Sequence, residues 1–176
     1  MVTATGVGAS VGTNAVEAAW AVLATVPDPE LPSVSLCDLG IVRDVRPRSD
    51  GLQVVLTPTY SGCPATEVIA QDVVDALQAA GLGPVEVTFQ LAPAWSTDWI
   101  SAQGRQKMLA SGIVPPRATV GLGVAVSPIH IRPRALNCPR CGSADTEMLS
   151  AFGATACKAL HRCRACGEPF EYFKPL

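Results

Sequence analysis

Apolar positions along the chain change their period several times, and each change marks an element. Val16, Ala19, Trp20, Leu23 and Ala24 fall on one helical face. Asn14 and Glu17 stand three apart, as a helix cap and its reciprocal partner do. That helix must stop ahead of Val26-Pro27-Asp28-Pro29, because the residue before a proline avoids the helical region. Ile41 to Val45 and Leu52 to Thr57 read as two strands, with Asp50-Gly51 as the tight turn of a hairpin. Ala65, Val68, Ile69, Val73, Ala76, Leu77 and Ala80 then recur at helical spacing, and Gly81 supplies a C-terminal stop. Val85, Val87, Phe89 and Leu91 alternate with Glu86, Thr88 and Gln90, the pattern of a half-buried strand. A shorter helix spans Ser101 to Ser111, ended by Gly112 and Pro115-Pro116.

The order helix, hairpin, helix, strand, helix predicts a compact α+β domain over residues 14–114. Residues 1–13, all small or apolar, are expected to be a disordered tail. Residues 115–136, rich in Pro and Gly, read as a linker, and 137–176 as a separate module. Gly121-Leu122-Gly123 lacks the third glycine and the strand-to-helix setting of a nucleotide loop.

Charge supports two modules. The residues from Arg132 onward hold seven Lys or Arg against four Asp or Glu, a net +3, which leaves the preceding residues at −5. The overall charge of −2 argues against nucleic-acid binding and membrane-surface attachment. No apolar run reaches the length of a membrane span and the first residues lack a secretory pattern, so a cytoplasmic protein is expected.

In a reducing compartment, seven cysteines point to metal ligands or reactive thiols rather than disulfides. Cys138-Pro-Arg-Cys141-Gly and Cys163-Arg-Ala-Cys166-Gly are two knuckles, each a turn that converges two thiolates while the glycine after it relieves the backbone. Together they make a tetrahedral four-sulfur site for zinc or for one iron, in a zinc-ribbon-like module too small to fold without its ion. Cys157 is surplus to four ligands, and His161 reads as a strand surface residue. Arg162 and Arg164 either solvate the module or face an acidic partner.

Cys63 precedes Pro64, which favours the first helical position, so it is expected at or near the cap of the second helix. There the helix dipole and free amides would favour the thiolate. Cys37 sits in an apolar setting and reads as core. Asp28 and Glu30 flank Pro29 in a turn. With His130 and His161 as the only histidines and no nucleophile triad, kinase motif or phosphate loop, a stand-alone enzyme is not indicated.

Asp28-Pro-Glu-Leu-Pro32, Asp38-Leu-Gly-Ile-Val-Arg-Asp44 and Thr57 through Pro64 resemble the small α+β domain of iron–sulfur assembly factors of the SufT and cytosolic-assembly type. Pro93 to Ser101, Gly112 to Pro116, Phe152 to Leu160 and Glu168 to Lys174 resemble the PaaD (PaaJ) family of the phenylacetyl-CoA epoxidase system. The resemblance implies an accessory subunit in phenylacetate degradation that matures or delivers an iron–sulfur cluster. Its partners would be the other epoxidase components, above all the iron–sulfur flavoprotein reductase, and a homo-oligomer is left open. It also implies that Cys63 is the reactive or cluster-contacting thiol, with Asp28 and Glu30 lining the same region. A rubredoxin-like electron-transfer subunit and a non-catalytic zinc-ribbon scaffold are the competing readings.

Overall fold

A computed structural model describes residues 8–60, 62–117 and 136–175, with the backbone alone given for 8–13. The chain divides into two compact units, Met1–Trp95 and Ser96–Leu176.

In the first unit, helix α1 (Gly8–Leu23) turns Ala19 and Leu23 fully inward. It begins inside the stretch expected to be a tail, and Asn14 lies within it rather than capping it. Residues 1–7 are outside the description. Two short strands, β1 (Pro27–Asp28) and β2 (Leu31–Ser35), follow as an antiparallel pair the sequence did not announce. Strands β3 (Val42–Pro47) and β4 (Leu52–Leu56) form the expected hairpin, closed by the Arg48 amide donating to the Gly51 carbonyl at 2.8 Å. Gly51 has no room for a side chain: a Cβ there would lie 2.0 Å from the Pro84 carbonyl oxygen.

Helix α2 (Thr66–Ala79) carries Ile69, Val73 and Leu77 at four-residue intervals, all buried. Each contributes about 1.5–3 kcal/mol of transfer free energy. The helix is the crossover that lets β5 (Val85–Phe89) lie parallel to β4, completing a sheet of order β3-β4-β5. α1 packs on β3 and α2, and α2 on β5. Val54 and Leu56 of the central strand are sealed from solvent. On the edge strand β5, Val85 and Val87 are half-buried as expected, whereas Phe89 and, beyond the strand, Leu91 are exposed. The unit ends at Trp95, whose indole donates to the Leu39 carbonyl at 2.9 Å.

The second unit begins ahead of the expected linker. A 3-10 turn at Thr97–Trp99 leads to α3 (Ala102–Ala110), capped by Ser101, whose hydroxyl accepts from the Gly104 amide at 2.8 Å. Arg105 of α3 donates to the carbonyls of Thr97 and Pro116, closing this segment on itself. Strand β6 (Ile113–Val114) then pairs parallel with β9 (Pro169–Phe173). With β7 (Thr146–Ser150) and β8 (Lys158–Cys163) they form a sheet of order β6-β9-β8-β7. Residues 96–114 therefore belong with the ribbon, where the sequence grouped them with the front domain. A two-residue parallel pairing across such a separation has no local signature. Most of the expected linker, including Gly121, Gly123 and His130, lies outside the described residues. Among those described, no helix is long and apolar enough to cross a membrane.

Candidate metal centre and the Cys63 loop

The two knuckles are nearly superposable in their backbone bonding. Gly142 donates to the Cys138 carbonyl at 2.9 Å and Gly167 to that of Cys163 at 2.9 Å. Both glycines take a positive φ, 76° and 78°, which a side chain would resist. The turns bring the sulfurs of Cys138, Cys141, Cys163 and Cys166 within 4.8 Å of one another. Cys138 Sγ lies 3.8 Å from Cys166 Sγ, and Cys141 Sγ 3.5 Å from Cys163 Sγ. Four sulfurs each ~2.3 Å from one tetrahedral ion stand about 3.8 Å apart, so this donor set fits a single metal.

The electrostatics agree with the geometry. The Cys166 amide holds the Cys163 thiol down to about 7. At Cys141 the Ser143 amide favours the thiolate, but the sulfurs of Cys163 and Cys166 outweigh it and push the thiol up to about 12. Four thiolates this close repel one another until a cation joins them. Cys138 and Cys163 are buried against Phe170, with Val114 and Leu136 beside them, while Cys141 and Cys166 are exposed.

The neighbouring residues take structural roles. Cys157 is buried apart from the four-sulfur group, 3.0 Å from the Thr155 hydroxyl. Arg162 and Arg164 both pair with Glu147 across the β7–β8 ladder, at 3.0 and 2.8 Å, so they serve the ribbon itself. His161 stacks on Phe170 and stands outside the four-sulfur donor group.

In the first unit the structure corrects the reading of Cys63. Helix α2 starts at Thr66 with Ala65 as its cap, so Cys63 sits in the preceding turn, its amide donating to the Tyr60 carbonyl at 3.1 Å. Its thiol is raised, not lowered. Burial outweighs the favourable Ala65 amide, and the charges of Glu30 and Asp28 add to the rise. The three residues are thus close enough to interact. Asp28 is buried, and its Oδ1 accepts from the amides of Glu30 and Leu31, both at 2.9 Å, fixing the turn that presents Glu30. They do not form a ready cage. Among the described residues, the four ribbon cysteines are the sole group of three or more such donors near enough to share an ion. Cys37, read as core, is only half-buried between the buried Leu36 and Leu39, and its thiol is pushed up to about 11 by burial and then by Asp38. Thr57, at the end of β4, was not singled out by the sequence. Its hydroxyl is buried without a hydrogen-bond partner among the described residues.

Alkylation of Cys63 should therefore climb steadily with pH beyond 9, about tenfold per unit, instead of levelling off near neutrality. A pH–rate profile with iodoacetamide on the zinc-loaded Cys37→Ala variant checks this. A plateau near pH 7 would mean that the dipole and amides win after all.

An α+β domain of the iron–sulfur-assembly type, continued by a metal-binding cysteine ribbon, is the class this architecture defines. Comparison with known proteins agrees from both ends. An iron–sulfur cluster assembly protein model matches residues 16–89, and a PaaD zinc beta ribbon domain model matches 130–174. A crystal structure from Bacillus anthracis, described as a domain of unknown function, DUF59, is 28% identical with a TM-score of 0.53. It covers 57% of this chain and 97% of its own. An Escherichia coli (strain K12) protein named for a component of 1,2-phenylacetyl-CoA epoxidase is 46% identical over 156 residues, 88% of this chain and 90% of that protein. The chain belongs to the family of that epoxidase component, the PaaD family.

Proposed function

We propose that this chain is the maturation subunit of a 1,2-phenylacetyl-CoA epoxidase system in the cytoplasm. Its first unit handles iron or a transient iron–sulfur cluster through Cys63, with Asp28 and Glu30 beside it. Its ribbon, closed on zinc, docks the iron–sulfur flavoprotein reductase that receives the cluster. The observation carrying this reading is the joining, in one chain, of an iron–sulfur-assembly domain and a four-cysteine ribbon, in the family of a named epoxidase component. Cys63 supplies one thiolate where a cluster takes about four ligands. The remaining ligands would come from the client or from a second copy of this chain. A raised thiol suits transfer, because a cation stabilises its thiolate when present and the site rests neutral when the cation has gone.

Reductase purified from cells carrying Cys63→Ser should take up iron and acid-labile sulfide more slowly by about tenfold or more, since even outer-shell partners of a metal are worth that much. Full occupancy at the normal rate would end the proposal. Exposure of Cys141 and Cys166, which brings the ion's edge to the surface, favours a second reading as an electron-transfer iron site. Anaerobic protein would then be red and bleach on reduction, whereas colourless protein with one zinc rejects it.

A further inference from the structure

Beyond the metal, one face of the ribbon sheet opens into a groove. Ala159 stands opposite Tyr172 and His161 opposite Phe170 in the β8–β9 ladder, and Met148 of β7 stands opposite His161. Directly opposed residues project to the same side, so Met148, His161 and Tyr172 share a face. At the metal end, Phe170 and the buried cysteines close that face. Past them lies a cavity of about 450 Å³ whose walls add Leu136, Arg117 and Lys174.

The groove's rings are held in place. His161 stacks on Phe170 with centroids 5.6 Å apart and takes Tyr172 edge-on at 5.9 Å. Met148, 61% exposed, offers a polarisable thioether beside them. No carboxylate lines the cavity among the described residues, and neither cation at its rim has a carboxylate partner among them. Lys174 donates to the Ala151 carbonyl at 3.1 Å and lies 4.4 Å over the Phe152 ring, which fixes its ammonium while leaving further donors. Arg117 is near enough for its charge to act on the Tyr172 phenol.

We infer that this groove binds a small aromatic carboxylate, its ring on Met148, His161 and Tyr172 and its carboxylate between Arg117 and Lys174. An apolar cavity with a few convergent polar groups is the usual form of a small-molecule site. Two cations at its rim, without a carboxylate partner among the described residues, favour an anion, and the fixed rings favour a flat aromatic body over an alkyl chain. The space holds an arylacetate, whose carboxylate stands one methylene from its ring; a thioester of the same acid is uncharged at that carbon and leaves the two cations unanswered there. The choice of phenylacetyl probes rests on the family reading; the preference for an aromatic anion does not.

Isothermal titration of the zinc-loaded full chain with phenylacetate, phenylacetyl-CoA and unacylated coenzyme A tests the inference. Binding of phenylacetate supports the inference, and binding of phenylacetyl-CoA with phenylacetate silent overturns it. Phenylacetate binding should weaken by about tenfold or more in Arg117→Ala combined with Lys174→Gln, the worth of a charge-assisted hydrogen bond. Met148→Trp, at an exposed position, should fill the groove and abolish binding. Absence of binding at about 1 mM, as follows if the chain itself fills the groove, overturns the inference. So does binding that both variants leave intact, or binding of coenzyme A as strong as that of its phenylacetyl ester with phenylacetate silent. The readout involves no reductase, so its failure leaves the maturation role standing, and a failed maturation test leaves the groove standing.

Discussion

Replacing Cys163 with serine should unfold the ribbon while the first unit keeps its own stability. The reason is the size of the ribbon's interior. The cluster around the metal centre consists of Cys138, Cys163 and Phe170 flanked by Val114 and Leu136, two of those five residues being ligands themselves, and the three ribbon strands β7–β9 add few other fully buried apolar side chains, chiefly Ala159 and Phe173. A structural zinc in a small module supplies about 10–16 kcal/mol of apparent binding free energy at pH 7, more than such a core can replace. Amide exchange of the full chain reports each unit separately. Protection across Thr146–Ser150, Lys158–Cys163 and Pro169–Phe173 should vanish in Cys163→Ser or after chelation, while Thr66–Ala79 keeps its protection. Acid acts in the same direction, because the ligands must be deprotonated and falling pH returns protons to the sulfurs. Ribbon amides that stay protected in metal-free protein would remove the ion from its structural role.

The second large effect comes from a buried ion pair away from the metal. Lys158 is 5% exposed, and its ammonium meets Glu171 Oε2 at 2.8 Å. The other oxygen of Glu171 accepts from the Ala154 amide at 3.1 Å, tying down the loop between β7 and β8. That loop passes so close that a Cβ on Gly153 would come within 2.8 Å of the same carboxylate. Glu171→Ala leaves an ammonium buried without its counter-charge and should cost the zinc-loaded ribbon about 3–5 kcal/mol. Replacing both partners together, as Lys158→Met with Glu171→Leu, should cost much less, since the desolvation of both charges is then avoided. Exchange rates in β8 distinguish the cases. A single variant that loses less than about 1 kcal/mol would show that Lys158 finds water or another partner.

What could be read from the chain was whatever a local rule dictates. The knuckles are legible because four thiolates around one ion impose both the spacing and the glycines. Helix α2 is legible through Ile69, Val73 and Leu77, and the β3–β4 hairpin through Asp50-Gly51, positions where burial period and turn geometry coincide. Distant packing decided the rest. The start of α1 at Gly8 carries no strong signal, and the cap-like pair Asn14 and Glu17 mimics a later one. Pro64 pointed to a helix start that the chain delays to Thr66. The environment of Cys63 depends on carboxylates brought in from the β1–β2 turn, more than thirty residues earlier, so its neighbours could be named by family likeness while the direction of its acidity could not. Strand β6 is too short to declare itself at all.

That short strand has a practical corollary. Ile113 and Val114 hydrogen-bond along the margin of β9, so anyone excising the cysteine module at the proline-rich stretch would strip the sheet of its border and bare the backbone of the strand that bears Phe170 and Phe173. Such a fragment invites self-association through the uncovered strand. The transplantable piece begins at Ser96, and swapping ribbons between relatives should follow that seam.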